Sequence, residues 1–182
     1  MTGGRGAMFV LGGLSGLLIV LAVLSGWQGT ARLTRQRDDT AAVQDACRSF
    51  VEAYGTFDFR DPGSYRNRLM SLTAGALKAA VASSQIDSLA LGQLRTIATD
   101  VVTVEVTALS DDDATASATA QQQRRSIDSA SGQVVDEAVI QHVACRVVLA
   151  GGSWLVAEFR LHSEEAAPKG ASAFREDSSW NR

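Results

Sequence analysis

The pattern of hydrophobic and polar residues divides the chain into three stretches with different periods. Residues 7–27 are almost wholly apolar, residues 38–94 place apolar side chains three and four positions apart, and residues 102–161 alternate apolar and polar side chains. Spacings of three and four are typical of helices that are buried on one side, whereas alternation is typical of half-buried strands. The order therefore predicts one apolar helix, then two or three amphipathic helices, then an antiparallel sheet, which is an α+β fold class.

The segment 7–27 is long enough to cross a membrane as a helix. A helix rises about 1.5 Å per residue, so this segment matches a hydrocarbon core about 30 Å thick. Trp27 stands where an interfacial aromatic residue belongs, and Arg32 and Arg35 follow among the headgroups. A cleaved secretory signal is the alternative, but its apolar part is shorter, about 7–15 residues. We predict a short tail over 1–6, a transmembrane helix over 7–27 and a basic linker over 28–37.

The middle stretch predicts helices. Residues 38–40 (Asp-Asp-Thr) suit a helix start. The apolar residues that follow lie on one helical face, and they are Val43, Ala46, Cys47, Phe50, Val51 and Tyr54. Gly55 and the turn-forming segment 57–63 end this helix. Ser64 is the predicted cap of a second helix that extends to about Ala82, and a short third helix is predicted around Gln85–Leu94.

The last stretch predicts four strands of a curved antiparallel sheet. Turn signals separate the strands at residues 111–113 (three aspartates), in the polar loop 126–132 and at Gly151-Gly152. Alternation places Gln141 and sixteen apolar side chains on the face that meets the helices: Val102, Val104, Val106, Ala108, Ala114, Ala116, Ala118, Val139, Val143, Cys145, Val147, Leu149, Leu155, Ala157, Phe159 and Leu161. One domain is predicted over 38–165, followed by a disordered tail over 166–182.

Charge and composition exclude several classes of function. The chain has 17 basic and 20 acidic side chains, and its first 37 residues include four arginines and no acid, so the predicted domain is acidic. Nucleic-acid binding depends on clustered Lys and Arg, so no nucleic-acid partner is expected. The two cysteines and two histidines lack the close spacing of three or four ligands that a Cys/His zinc site needs. The aspartates at 111–113 lack the ligand spacing of a calcium loop. We predict no metal, no cofactor and no enzymatic activity.

The two cysteines bear on the cellular compartment. Cys47 lies on the buried stripe of the first helix, and Cys145 lies on the inner face of a central strand, so the two meet if the helix crosses that strand. A disulfide between them would place the domain outside the cytoplasm, because reducing compartments do not maintain such bonds. Two free thiols that pack as small apolar side chains are the alternative.

The layout resembles membrane-anchored bacterial proteins with a cone-shaped domain of the nuclear-transport-factor-two-like, or cystatin-like, type. The likeness is carried by Phe50-Val51-Glu52-Ala53-Tyr54, followed by Phe57-Asp58-Phe59-Arg60 and Arg66-Asn67-Arg68-Leu69. Two groups are similar: the scaffold proteins of conjugation and type IV secretion, including the TcpC-like proteins, and the membrane proteins associated with mammalian-cell-entry (Mce) lipid-uptake complexes. TcpC-like proteins have two such domains, whereas this chain has one.

The resemblance implies a non-enzymatic, single-pass subunit of a trans-envelope complex in the cytoplasmic membrane, with its folded domain outside the cytoplasm. Its partners would be the lipid bilayer, other subunits of the complex and further copies of itself. The arginine count alone favours the opposite orientation. The alternative function is a small-ligand-binding or enzymatic domain, whose acid would be Asp58, Asp87 or Asp100. Exposed residues predicted to form the subunit surface are Tyr65, Arg66, Arg68, Glu105, Arg124, Arg125, Arg146, Glu158 and Arg160.

Overall fold

The computed structural model describes residues 33–85 and 87–168, and the chain divides at Ala41 into two units. In the first unit, residues 33–41 are helical, so a helix is already present before the start predicted at Asp38. The part of the predicted linker from Leu33 onward is therefore helical.

The predicted N-terminal tail, the membrane segment 7–27, Trp27 and Arg32 lie outside the described residues, as do residues 169–182. Arg35 is described, and its side chain is exposed on a helical segment. No helix within the described ranges combines the length and the apolar character needed to cross a bilayer.

Four helices precede the long strands in the second unit. They are α1 (residues 42–55 of the second unit), α2 (Pro62–Leu72), α3 (Gly75–Ser83) and α4 (Ser88–Gly92). The predicted second helix is thus two helices, and the predicted third helix is shorter than expected. The cap of α2 is Asp61 rather than Ser64, since its carboxylate accepts a hydrogen bond from the Ser64 amide at 3.1 Å.

The break between α2 and α3 has a tertiary cause. Thr73 forms a parallel bridge with Val156 at the edge of the sheet, and the Ala74 amide donates to the Val156 carbonyl at 2.9 Å. Gly75 then adopts a φ of +55°, a left-handed conformation that favours glycine and lets the chain turn into α3. The periodicity of residues 64–82 cannot reveal a contact with the distant Val156, so it predicted one continuous helix.

The sheet has five antiparallel strands in chain order, rather than the four predicted. They are β1 (Phe57–Asp58), β2 (Thr96–Leu109), β3 (Asp113–Ile127), β4 (Val134–Ala150) and β5 (Ser153–Ala166). The two-residue β1 was predicted to be a turn. Ala166, predicted to begin the tail, still pairs with Val139. The hairpin at Gly151-Gly152 is confirmed: both glycines have positive φ, 60° and 82°, as a type I′ turn requires.

Two bulges in β2 change which side chains face the helices. Its pairing with β3 shifts between Val101 and Thr103 and again between Val106 and Ala108. An extra residue in a strand reverses the alternation of its side chains. Val101 is therefore buried, at 3% exposed, while Val102 is 56% exposed. The inward placements predicted for Val102 and Ala108 are wrong.

β5 also has two shifts against β4, at Arg146/Val147 and at His142/Val143. The first leaves Val156, rather than Leu155 or Ala157, fully buried against the helices. The second pairs Glu164 with Gln141. Two predicted core residues, Leu149 near the end of β4 and Leu161 beside the second shift in β5, are 42% and 50% exposed.

The core lies where α1 crosses the sheet. The predicted stripe of α1 is confirmed at Val43, Cys47, Phe50 and Val51, which are all at most 2% exposed, whereas Tyr54, predicted at its end, is 42% exposed. The four buried residues pack on a row of small or short side chains, which lets the helix approach the strands closely: Ala114, Ala116, Ala118, Ala120, Val143, Cys145 and Val147. The confirmed part of the prediction is therefore the contact between α1, β3 and β4.

Candidate functional site

A cavity of about 710 Å³ opens between the helices and the concave face of the sheet, beyond the region that α1 covers. All four helices and all five strands contribute to its wall. Its lining residues include Phe50, Tyr54, Phe57, Tyr65, Arg66, Leu69, Leu77, Val81, Asp87, Arg95, Gln122, Arg124, Glu137, Gln141 and Phe159. The helical layer and the sheet therefore both contribute to the cavity wall.

One side of the cavity is an aromatic wall formed by Phe50, Tyr54, Phe57, Tyr65 and Phe159. The rings of Tyr54 and Phe159 lie 4.5 Å apart, and those of Phe57 and Tyr65 lie 5.4 Å apart and nearly perpendicular. The Tyr65 hydroxyl donates to the Tyr54 carbonyl at 3.1 Å. Burial, with a smaller contribution from Tyr54, raises the pKa of Tyr65 to about 12, so the Tyr65 hydroxyl stays protonated at neutral pH.

The polar floor of the cavity is formed by Gln122, Arg124 and Gln141, and Glu164, which does not itself line the cavity, binds Arg124 and Gln141. Arg124 binds both oxygens of Glu164, at 2.8 and 2.6 Å. Its Nε and Nη2 atoms donate to Gln122 Oε1 at 3.2 and 2.9 Å, and Gln141 Nε2 donates to Glu164 Oε2 at 2.7 Å. The hydrogen bonds from Arg124 and then Gln141 hold the pKa of Glu164 below its usual range. The ion pair makes the floor neutral overall.

Four further charged residues lie at the rim, and three of them, Arg66, Arg95 and Asp87, make local hydrogen bonds. Arg66 donates to the Ser84 carbonyl at 2.7 Å, and Arg95 donates to a neighbouring glutamine side chain, also at 2.7 Å. Asp87 caps α4, and its carboxylate accepts from a backbone amide at 2.9 Å. Glu137 lies opposite Arg124 in the β3–β4 pairing. The rim therefore carries charges of both signs.

The structure divides the predicted subunit surface between two faces of the domain. Tyr65, Arg66 and Arg124 line the cavity instead of facing outward, and Arg68 donates to the Thr56 carbonyl at 3.3 Å. The other five lie on the opposite, convex face of the sheet or its strands: Glu105, Arg125, Arg146, Glu158 and Arg160.

The convex face carries two groups of ion pairs. Arg146 pairs with Asp113 and with Glu158, and Arg160 approaches Glu158 at 3.5 Å. Arg125 pairs with Asp136 at 2.8 Å toward the other end of the strands. These side chains remain largely accessible, so each pair contributes little to stability and is available to a partner.

The three acids that the sequence offered as candidates for a catalytic role lie in different surroundings. Asp58 accepts a hydrogen bond from the amide of a neighbouring residue, and Asp100 is exposed on β2. Only Asp87 lines the cavity, where it serves as a helix cap. Sequence reasoning missed Glu137 and Glu164. The inward position of Gln141 was the one signal that the concave face holds a polar cluster, because Glu164 is its cross-strand partner.

Cys47 and Cys145 meet in the core as their positions predicted. Both are fully buried, and their thiols are hydrogen-bonded to each other and are not oxidised in the structure. The hydrogen bond to Cys47, together with burial, raises the pKa of Cys145, so that side chain stays a thiol. The proposed disulfide joins two residues that already touch, and it stays a prediction.

Two solved structures of type IV secretion proteins share the fold of this chain. The VirB8 protein of Agrobacterium tumefaciens is 9% identical, with a TM-score of 0.52, and the match covers 70% of this chain and 94% of that one. An IcmL-like type IV secretion system protein from Legionella pneumophila is 10% identical, with a TM-score of 0.51 and the same coverage. The fold predicted from the resemblance is therefore confirmed.

An Ntf2-like protein involved in plasmid conjugation is also similar, at 13% identity and a TM-score of 0.48. The match covers 70% of this chain but spans only about half, 49%, of that protein. No protein-family model matches the chain, and no curated protein matches it in sequence.

Proposed function

We propose that the chain is a non-enzymatic, membrane-anchored structural subunit of a bacterial trans-envelope complex of the conjugation or type IV secretion kind. The observation that carries the proposal is the fold shared with VirB8 and the IcmL-like protein across 94% of each of those chains. Of the two groups that the sequence resembles, this likeness supports the secretion group over the Mce-associated group. The apolar segment 7–27 supports the anchor.

The convex face is the surface that we propose for subunit contacts. The helices pack on the concave face, whereas the convex face presents accessible ion pairs around Arg146 and Arg160. Accessible charged groups at an interface contribute more to the specificity and rate of association than to affinity. Contacts to other subunits, and between copies of this chain, would therefore use Glu105, Arg146, Glu158 and Arg160.

Co-purification from the producing cell tests this role. The full chain is extracted in mild detergent, and we expect it to elute in a complex with other envelope proteins. Arg160→Glu reverses a charge on the convex face, and Lys78→Glu reverses an exposed charge on α3 as a matched control. The first variant is expected to lose the other proteins, while the second retains them. Elution of the unmodified chain without any other envelope protein would contradict the proposal.

The folded domain lies outside the cytoplasm in this proposal. The contact between Cys47 and Cys145 supports that orientation, because the two thiols are placed to form a bond that an oxidising compartment would maintain. The arginines that follow the anchor favour the opposite orientation, so the thiol experiment described in the Discussion decides between the two.

A further inference from the structure

We propose that the segment following β5, residues 169–182 of the same chain, closes the cavity by placing the ring of Phe174 against the aromatic wall. The sequence predicted a disordered tail here, and this tail contains two aromatic side chains, Phe174 and Trp180. The inference goes beyond the structural role, because subunit contacts on the convex face do not involve the cavity. The proposed occupant is therefore a part of this chain.

The point where the chain leaves the sheet lies beside the cavity. Just beyond β5, the Ala167 amide donates to the Ala138 carbonyl of β4 at 2.8 Å. Glu137 and Gln141, on either side of Ala138 along β4, both line the cavity. The segment 169–182 begins two positions after Ala167, so it starts at the rim of the cavity.

The position of Phe174 in the sequence gives it sufficient reach. Phe174 follows Ala167 by seven positions, and an extended chain spans about 3.3 Å per residue, or about 23 Å in all. The five strands lie about 4.8 Å apart, so the whole sheet is about 19 Å wide. Phe174 therefore reaches every part of the aromatic wall. It also needs a shorter loop than Trp180, and closing a shorter loop loses less entropy.

The aromatic wall has ring surface that nothing covers within the described part of the chain. Tyr54 is 42% exposed, although its ring lies only 4.5 Å from that of Phe159. Both rings line the cavity. Removing apolar surface from water is favourable, and aromatic rings pair well when their centroids are about 4.5–7 Å apart. A phenylalanine ring in the cavity would cover this surface.

The charge at the rim matches the charge beside Phe174. Glu137 belongs to none of the ion pairs found among the described residues, and it lies next to the point where the chain leaves the sheet. Arg175 directly follows Phe174 in the sequence. Docking of Phe174 would bring Arg175 to the rim and allow an ion pair with Glu137. Such an accessible pair orients the segment more than it strengthens the contact.

Tryptic cleavage of the full chain in amphipol measures whether the segment is docked. Trypsin cuts after Arg175 only while the segment is undocked, so release of the peptide 176–182 follows the undocked fraction. Ala80 lines the cavity and is exposed, so Ala80→Trp fills the space without disturbing the core. Ala79→Trp adds the same side chain at an exposed position outside the lining. We expect release to be at least about tenfold faster in the first variant and unchanged in the second.

Photo-crosslinking identifies the residues that the segment contacts. The photoreactive residue p-benzoylphenylalanine, which keeps an aromatic ring, replaces Phe174 in one variant and Ser178 in a matched control. We expect the first variant to form cross-links to the cavity lining, above all to Tyr54 and Phe159, and we expect Ala80→Trp to abolish them. The control should form few cross-links to the cavity. A mixture of isotopically labelled and unlabelled chains distinguishes cross-links within one chain from cross-links between two chains.

Three results would overturn the proposal. They are equal release of the peptide from the unmodified chain and from Ala80→Trp, an absence of cross-links from position 174 to the cavity, and cross-links that join a labelled chain to an unlabelled one. The last result would assign the cavity to a second copy of the chain. Because co-purification through the convex face is measured separately, failure of this proposal and failure of the structural role are distinguishable.

Discussion

Replacing Gly55 with alanine tests the closest approach between α1 and the sheet. A Cβ at this position would lie 2.2 Å from Thr99 Oγ1, 2.9 Å from Thr99 Cβ and 2.6 Å from Gln122 Nε2. All three distances are far shorter than normal van der Waals contact. The helix end and β2 must therefore separate, or the Thr99 and Gln122 side chains must leave their positions.

The expected magnitude follows from two opposing effects. Overpacking a core by one methyl group destabilises by about 1–3 kcal/mol, and Thr99 is a stiff β-branched side chain that cannot move far. Replacing glycine by alanine in a helix recovers about 0.5–1 kcal/mol from the unfolded state. Because Thr99 cannot move far, the upper end of the overpacking range, about 3 kcal/mol, applies, and we expect a net loss of about 2 kcal/mol in the free energy of unfolding.

Thr99→Ala provides the second half of a double-mutant cycle. Its hydroxyl oxygen is buried and has no hydrogen-bond partner among the described residues, so removing it has little cost by itself. The substitution also removes the 2.2 Å contact. In combination with Gly55→Ala it is expected to recover about 1 kcal/mol, which would be the coupling free energy of the pair.

Urea unfolding of each variant, followed by far-ultraviolet circular dichroism, measures these differences. Gly63→Ala in α2 is the control, because its Cβ would meet nothing closer than 3.9 Å and the variant should be as stable as the unmodified protein or slightly more so. A loss below about 0.5 kcal/mol for Gly55→Ala, which is the resolution of the method, would refute the close approach. Additive effects of the two substitutions would refute the contact with Thr99.

Two further predictions concern the thiols and the ion pair of the polar floor. In intact cells, a membrane-impermeant thiol reagent is expected to label Cys47 and Cys145 only after denaturation and reduction. The reason is that both thiols are buried and are placed to form a disulfide outside the cytoplasm. Labelling after lysis and denaturation, without reductant, would contradict that orientation. The hydrogen bond from Arg124 is the main cause that lowers the pKa of Glu164 in the folded state from its ordinary value of 4.5. The contribution of the Glu164 carboxylate to stability is therefore fully present above pH 4.5, and it is lost as the pH falls through the lower pKa of the folded state. The difference in unfolding free energy between the unmodified chain and Glu164→Gln should therefore shrink below pH 4.5, and a difference that does not change with pH would show that the carboxylate makes no such contribution.

Local patterns predicted the fold class and its central contact. The spacing of Val43, Cys47 and Phe50 predicted the buried face of α1, and the alternating alanines of β3 predicted the surface on which it packs. Gly151-Gly152 predicted the last hairpin. These features depend on residues close together in sequence, whose periodicity a helix or strand imposes directly.

Long-range contacts account for what the sequence did not predict. The divided second helix depends on the pairing of Thr73 with Val156, and β1 exists only because it pairs with β2. A tertiary partner far away in sequence leaves no periodic signal at the position that it alters.

The candidate site was the least predictable part of the protein. Each bulge reverses which side chains face inward, so Val101 replaced Val102 in the core and Glu164 turned toward Arg124 at the cavity. The sequence by itself determined the four long strands, α1 and the face of α1 that is buried. Only the tertiary structure decided where the bulges fall, because strand register is set by pairing between distant residues, and a slip of one residue moves every later side chain to the opposite face.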